Sequence, residues 1–125
     1  MKEVTKKVLL VEDEPDITYV VEFILSTAGF EIRKVNDSTM AISEMLADGY
    51  GLVVLDLMMP GMSGFEVLTA LRQEEKLKEL PVLILSSRQL NHEETAFLAS
   101  KKADVMAKPF EPHRLIEKVR EMVAD

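Results

Sequence analysis

Two kinds of hydrophobic pattern alternate along this chain: short apolar runs, and longer stretches in which apolar residues recur every three or four positions. The first run, Val8 to Val11, stops abruptly at Glu12-Asp13-Glu14-Pro15-Asp16. Pro15 suits the first turn of a helix, where a missing N–H costs nothing, and the acids suit the positive helix end. Ile17, Val20, Val21, Ile24, Leu25 and Ala28 follow at helical spacing, and Gly29 closes that helix. Phe30 to Val35 alternates apolar and charged residues, which predicts a less buried strand near a sheet edge. Asp37 caps a second helix carrying Met40, Ala41, Ile42, Met45 and Leu46, ending near Gly49.

Leu52 to Leu55 is apolar without alternation, and its pair Val53-Val54 favours extended backbone, so it reads as a strand buried on both faces. It stops at Asp56. Pro60-Gly61 and Ser63-Gly64 then break the chain into a loop before a helix from about Phe65 to Gln73, with Phe65, Leu68 and Leu71 on one side. Glu74 to Glu79 is charged or polar apart from Leu77 and predicts a solvated connection. Val82 to Leu85 is another unbroken strand, ending in Ser86-Ser87. Asn91 caps a helix to about Ser100, with Ala96, Phe97 and Ala99 as its apolar content. Ala103 to Ala107 is a short strand ending in Lys108-Pro109. The last helix, from about Pro112 to Val123, spaces Leu115, Ile116, Val119, Met122 and Val123 along one side.

Strand and helix thus alternate five times, and crossovers this short favour parallel, right-handed βαβ units. The expected fold is α/β: a doubly wound, flavodoxin-like sheet of five parallel strands in order 2-1-3-4-5, with five helices. The Phe30 and Ala103 strands are its edges. At 125 residues the chain reads as one domain. Apolar residues at 47% and charged residues at 30% mark it as globular. A net charge of −7 argues against direct nucleic-acid binding, which needs a basic stripe. With no cysteine there is no thiol chemistry, a composition that suits the cytoplasm. Neither a signal peptide nor a membrane-spanning stretch is evident. The methionines read as fillers of core and loop gaps, and His92 and His113 as surface residues.

The strand ends of one polarity lie together in a parallel sheet, and here they deliver Glu12 and Asp13, Asp56, Ser86 and Lys108. Three carboxylates roughly 5 Å apart would repel by about 3 kcal/mol per pair at an effective dielectric near 20. A cation, or a proton on one acid, makes such a cluster tolerable. Oxygen donors with no histidine or cysteine nearby suit a hard ion, and Mg²⁺ fits best. Ser86 supplies a hydroxyl and Lys108 a compact positive charge, both suited to phosphoryl oxygens. Together they describe an aspartate nucleophile with a metal and a cation to neutralise a transferred phosphoryl.

In these motifs, and in the run Leu55 to Gly64 around Asp56, the chain resembles the receiver domains of two-component response regulators, of the chemotaxis-regulator-like single-domain type. The resemblance covers residues 1–125 as a single receiver domain, with its core at about 6–124. It implies that Asp56 is the phosphoacceptor, served by a sensor histidine kinase or a histidine phosphotransfer protein. Asp13 would bind Mg²⁺ directly, Glu12 through water, and the backbone carbonyl of Met58 would be a third ligand beside Asp56. Ser86 would turn towards the phosphoryl and Lys108 would pair with its oxygens, while Met58 and Arg88 would tune its lifetime. Such a protein is a phosphoacceptor rather than an enzyme acting on other substrates.

The implied output surface, at about residues 91–124, would bind a downstream partner, as a monomer or as a phosphorylation-dependent dimer. Two departures stand out. Val105 occupies the place where the family usually has a switching aromatic residue, and Lys101-Lys102-Ala103 replaces a small-residue stretch. A pseudo-receiver that binds partners without phosphate is therefore an alternative. An aspartate-dependent phosphatase is a weaker one, since Met58 cannot protonate a leaving group.

Overall fold

The computed structural model describes residues 6–47 and 49–124. Strands β1 (Lys7–Val11), β2 (Glu31–Val35), β3 (Leu52–Asp56), β4 (Val82–Ser86) and β5 (Ala103–Ala107) form one parallel sheet in order β2-β1-β3-β4-β5. Helices α1 (Pro15–Thr27), α2 (Ala41–Ala47), α3 (Gly64–Gln73), α4 (His92–Ser100) and α5 (Pro112–Val123) connect or follow them. This is the expected doubly wound, flavodoxin-like order. β1 pairs Val8 with Leu52 and Val11 with Leu55, and β3 pairs Asp56 with Leu85, so the strand ends lie level with one another.

Alternation along each strand divides the core into two layers. Leu9, Val11, Val53, Leu55, Val82 and Ile84 face α2, α3 and α4, meeting Met45, Leu68, Leu71 and Leu98. Val8, Leu10, Leu52, Val54, Leu83 and Leu85 face α1 and α5, meeting Val21, Leu25, Leu115 and Val119. β1, β3 and β4 are covered on both sides, which is why their sequences run apolar without alternation. β2 exposes Glu31, Arg33 and Lys34, and β5 exposes Val105 and Ala107, as befits edges. Among the described residues no helix is long and apolar enough to cross a membrane.

Local chemistry sets the helix starts. Pro15 and Pro112 open α1 and α5, and α3 and α4 begin with capping boxes, Ser63 with Glu66 and Asn91 with Glu94. Asp37 caps a 3-10 turn, Ser38–Met40, that leads into α2 rather than capping α2 itself.

Several apolar expectations are corrected. The Glu74–Glu79 connection is not wholly solvated, because a 3-10 turn at Glu75–Leu77 drops Leu77 into the core. In α4 the buried residue is Leu98, whereas Ala96 and Ala99 are exposed. Phe97, half-buried, packs beside it edge-on to Phe65. Met40, Leu46 and Val20 also point outward, since the faces of α1 and α2 that meet the sheet are narrower than their apolar content.

Arg72, near the end of α3, ties two corners together. Its Nη1 donates to the carbonyls of Leu77, Lys78 and Leu80, Nε to Lys101 and Nη2 to Lys102. Lys102 sits at φ 59°, a left-handed conformation that lysine adopts only when its surroundings hold it. Replacing Arg72 with methionine leaves these carbonyls without their donor. Urea unfolding of Arg72→Met is expected to show a loss of about 2–3 kcal/mol. Arg72→Lys should recover little of it, because one ammonium cannot fork across both corners.

Candidate functional site

The carboxyl edge of the sheet gathers every side chain that the sequence reading named for chemistry. The chain leaves β1 through Glu12, whose N–H donates to the Val35 carbonyl, and leaves β3 through Leu57, whose N–H donates to the Leu85 carbonyl. The Lys108 N–H donates to the Ser86 carbonyl, so the ladder extends one step past β5 before the cis Lys108–Pro109 bond. These backbone bonds fix where the side chains emerge.

Carboxylate oxygens of Glu12, Asp13 and Asp56 lie within 4.8 Å of one another. Glu12 and Asp56 are buried, at 1% and 4% exposure. The Lys108 ammonium reaches in between them, donating to Asp56 Oδ1 at 3.1 Å and to Glu12 Oε1 at 3.3 Å. The other Glu12 oxygen accepts from the Glu14 N–H at 3.2 Å. Asp13 Oδ1 is buried with no hydrogen-bond partner, the one such side-chain atom among the described residues. A buried, unpartnered carboxylate oxygen beside two further carboxylates is a donor set for a hard cation, and it fits a Mg²⁺ ion.

The electrostatics follow from this crowding. Burial, helped by the neighbouring Asp56 charge, pushes Glu12 up to about 7 against the opposing pull of the Glu14 N–H and Lys108. For Lys108, burial alone would lower the affinity for its proton. Its hydrogen bond to Asp56 and the charges of Glu12 and Asp56 outweigh burial and hold it above the usual lysine value.

Ser86 ends β4, buried, and its hydroxyl turns along its own loop, donating to the Arg88 carbonyl at 2.7 Å and accepting from the Arg88 N–H at 3.3 Å. Met58 is exposed between the buried Leu57 and Met59, which anchor the loop after Asp56 in the core. Val105 lies opposite Ile84 on the edge strand, 41% exposed, with no ring to fill that position. His92 and His113 are exposed, in the first turns of α4 and α5.

Two supports escaped the sequence reading. Gly64 lets α3 begin hard against the end of β3, since a Cβ there would sit 2.7 Å from the Asp56 carbonyl oxygen. Ser38, buried, donates to the Pro60 carbonyl and accepts from the Met62 N–H, which pins the loop carrying Met58 from the α2 side. The Ser63-Gly64 pair was visible only as a loop signal, and Ser38 only as part of a helix start.

The family model of the response regulator receiver domain matches residues 8–120. The chain belongs to that family. It is 35% identical over 113 residues to the transcriptional regulatory protein YrkP of Bacillus subtilis, a match covering 90% of this chain and 47% of YrkP. To the phosphate regulon transcriptional regulatory protein PhoB of Escherichia coli it is 30% identical over 115 residues, covering 92% of this chain and 50% of PhoB. The chain therefore spans about half the length of these curated relatives. The chemotaxis protein CheY4 of Vibrio cholerae superposes with a TM-score of 0.86 at 28% identity, covering 94% of this chain and 98% of CheY4. The receiver fold is thus shared with these relatives.

The raised Glu12 value makes a stability prediction for this receiver domain. A folded-state value near 7 against 4.5 means that the folded protein keeps a proton the unfolded chain gives up in between. Without divalent cations, stability should therefore fall as pH rises from 4.5 to 7. Glu12→Gln retains an acceptor for Lys108 without the charge, so it should flatten that slope and add about 1–3 kcal/mol at pH 7. Chemical denaturation across this pH range checks it; an unchanged slope would mean that Glu12 is ionised at no expense.

Proposed function

We propose that this receiver domain is a phosphorylation-driven switch in a two-component phosphorelay, with Asp56 as the phosphoacceptor. The observation that carries the reading is the Lys108 ammonium bridging Asp56 and Glu12 beside the unpartnered Asp13 oxygen. A structural cluster would be expected to satisfy all of its oxygens internally. This one leaves a donor open next to the candidate nucleophile.

In the reaction, an Asp56 carboxylate oxygen attacks the phosphorus of the donor. A new O–P bond forms as the donor's P–N bond (a phosphohistidine) or P–O bond (an acyl phosphate) breaks, and the bonding pair leaves with the donor. Lys108 is already in contact with Asp56 and can shift its donors to a phosphoryl oxygen with little rearrangement. Ser86 must turn from the Arg88 carbonyl to present its hydroxyl to the same group. Mg²⁺ would be held by Asp13 and Asp56, by the Met58 backbone carbonyl and, through water, by Glu12. When bound it supplies positive charge that offsets the carboxylates and the phosphoryl oxygens. Ser38 keeps the Met58 loop in place throughout.

A sensor histidine kinase or a histidine phosphotransfer protein supplies the phosphoryl. A downstream partner reads the result on α4, β5 and α5, at about residues 91–124, through a monomer or a phosphorylation-dependent dimer. Residues 6–124 act as a single receiver unit in the cytoplasm, with no direct contact to nucleic acid. The domain assists its own phosphorylation and dephosphorylation but turns over no other substrate.

Incubation with acetyl phosphate and Mg²⁺, followed by intact-mass measurement, tests this reading. Wild type is expected to gain a single phosphoryl, lost on chelation of the metal beforehand and absent in Asp56→Asn. An equal adduct on Asp56→Asn, or none on wild type, would sink the assignment.

A further inference from the structure

The switch hydroxyl is tethered in a way that the Mg²⁺ and phosphoryl chemistry does not require. Ser86 Oγ is bonded twice to the backbone of Arg88, once as donor and once as acceptor. The Arg88 side chain is fixed in turn: its Nη1 donates to Glu94 Oε1 at 2.9 Å and its Nη2 to Glu94 Oε2 at 2.6 Å. Glu94 is itself fixed, because it belongs to the capping box that opens α4, accepting from the Asn91 N–H while its own N–H donates to Asn91 Oδ1. An unbroken run of hydrogen bonds therefore joins Ser86 to the first turn of α4. On the neighbouring edge strand Val105 offers no ring to restrain or follow the hydroxyl.

Resting on the phosphoacceptor reading above, we infer that Glu94, acting through Arg88, is a positioning residue that holds the Ser86 hydroxyl on the Arg88 carbonyl and away from Asp56. The forked pair with planar guanidinium geometry is the form in which an exposed ion pair has a measurable effect. It stays charged at any neutral pH, since the hydrogen bonds from Arg88 and Asn91 hold Glu94 down at about 2. For the hydroxyl to serve a phosphoryl on Asp56, the Arg88 backbone must lose its partner. The loop from Ser86 to Asn91 then has to re-form its bonds, and the pair with Glu94 resists this. The same pair passes the change to the start of α4 when it does occur. In this chain an ion pair thus occupies the role that a moving ring would otherwise fill.

The test compares wild type, Glu94→Gln, Arg88→Gln and Glu93→Gln. Each is phosphorylated on Asp56 by acetyl phosphate under saturating Mg²⁺ at physiological ionic strength. In every case an Asp56 oxygen displaces acetate, which leaves with the bonding pair. Glutamine at 94 can still accept from the Asn91 N–H, so α4 keeps its cap. Glu94→Gln and Arg88→Gln are both expected to phosphorylate about two- to fivefold faster than wild type, with Mg²⁺ affinity unchanged. Glu93→Gln removes the same charge from the same helical turn without touching Arg88, and should match wild type.

A simple field effect on the anionic donor would speed Glu94→Gln and slow Arg88→Gln; opposite signs, or three variants equal to wild type, would overturn the inference. NMR hydrogen exchange of the Arg88 amide, with no phosphodonor present, separates this outcome from failure of the phosphoacceptor reading. Exchange should rise in Glu94→Gln and Arg88→Gln. A wild type that takes no phosphoryl but shows this rise would refute the phosphoacceptor reading and keep the restraint. No rise would refute the restraint itself.

Discussion

Lys108 is bonded to Asp56 and Glu12 at once, and the carboxyl edge of the sheet depends on that pair of contacts. Three carboxylates brought this close repel one another, and two of them, Glu12 and Asp56, are buried. The ammonium neutralises part of that charge, but not all of it. Glu12 is still pushed towards neutrality, and Asp13 keeps a buried oxygen that nothing among the described residues satisfies. The edge therefore stores an electrostatic tension that a divalent cation and a phosphoryl group are suited to relieve. The sheet can hold it because β1, β3 and β4 are buried on both faces and cannot easily shift.

Much of this organisation was legible in the sequence. Val8–Val11, Leu52–Leu55 and Val82–Leu85 are apolar on both faces, and only a doubly covered parallel strand requires that. Once those strands are parallel, the residues after each run fall on the same edge, so Glu12, Asp56 and Ser86 meet there without any local signal linking them. What failed was the finer apolar bookkeeping. Leu77 lies within a charged run, and its burial follows from a single 3-10 turn that no periodicity announces. The buried position of α4 is Leu98 rather than its alanines, because a helix this exposed carries almost no amphipathic signal.

The supports of the site were the least legible part. Ser38, Gly64, Arg72 and Glu94 act through contacts that cross from one loop to another, and sequence spacing gives no hint of such reach. Ser38 meets the loop that follows β3, and Arg72 reaches from α3 to the turn before β5. Asn91 was legible as the cap of α4, but neither Glu94 as its partner in the capping box nor the pair of Glu94 with Arg88 was. The chemistry of the edge is thus written in strand ends, whereas its positioning is written in side chains that pin loops. Ser86 stands between the two, since its strand places it at the site while its loop holds the hydroxyl elsewhere.

The most direct test of the edge as a cation site is a calorimetric Mg²⁺ titration of the unphosphorylated protein at pH 7, with Asp13→Asn alongside. The account predicts that wild type binds one ion and unfolds at a higher temperature with it. Asp13→Asn should lose that binding while remaining folded. If Asp13→Asn bound Mg²⁺ as wild type does, or if neither bound it, the unpartnered Asp13 oxygen would be no ligand, and the reading of this edge as a metal-assisted phosphoacceptor site would be contradicted.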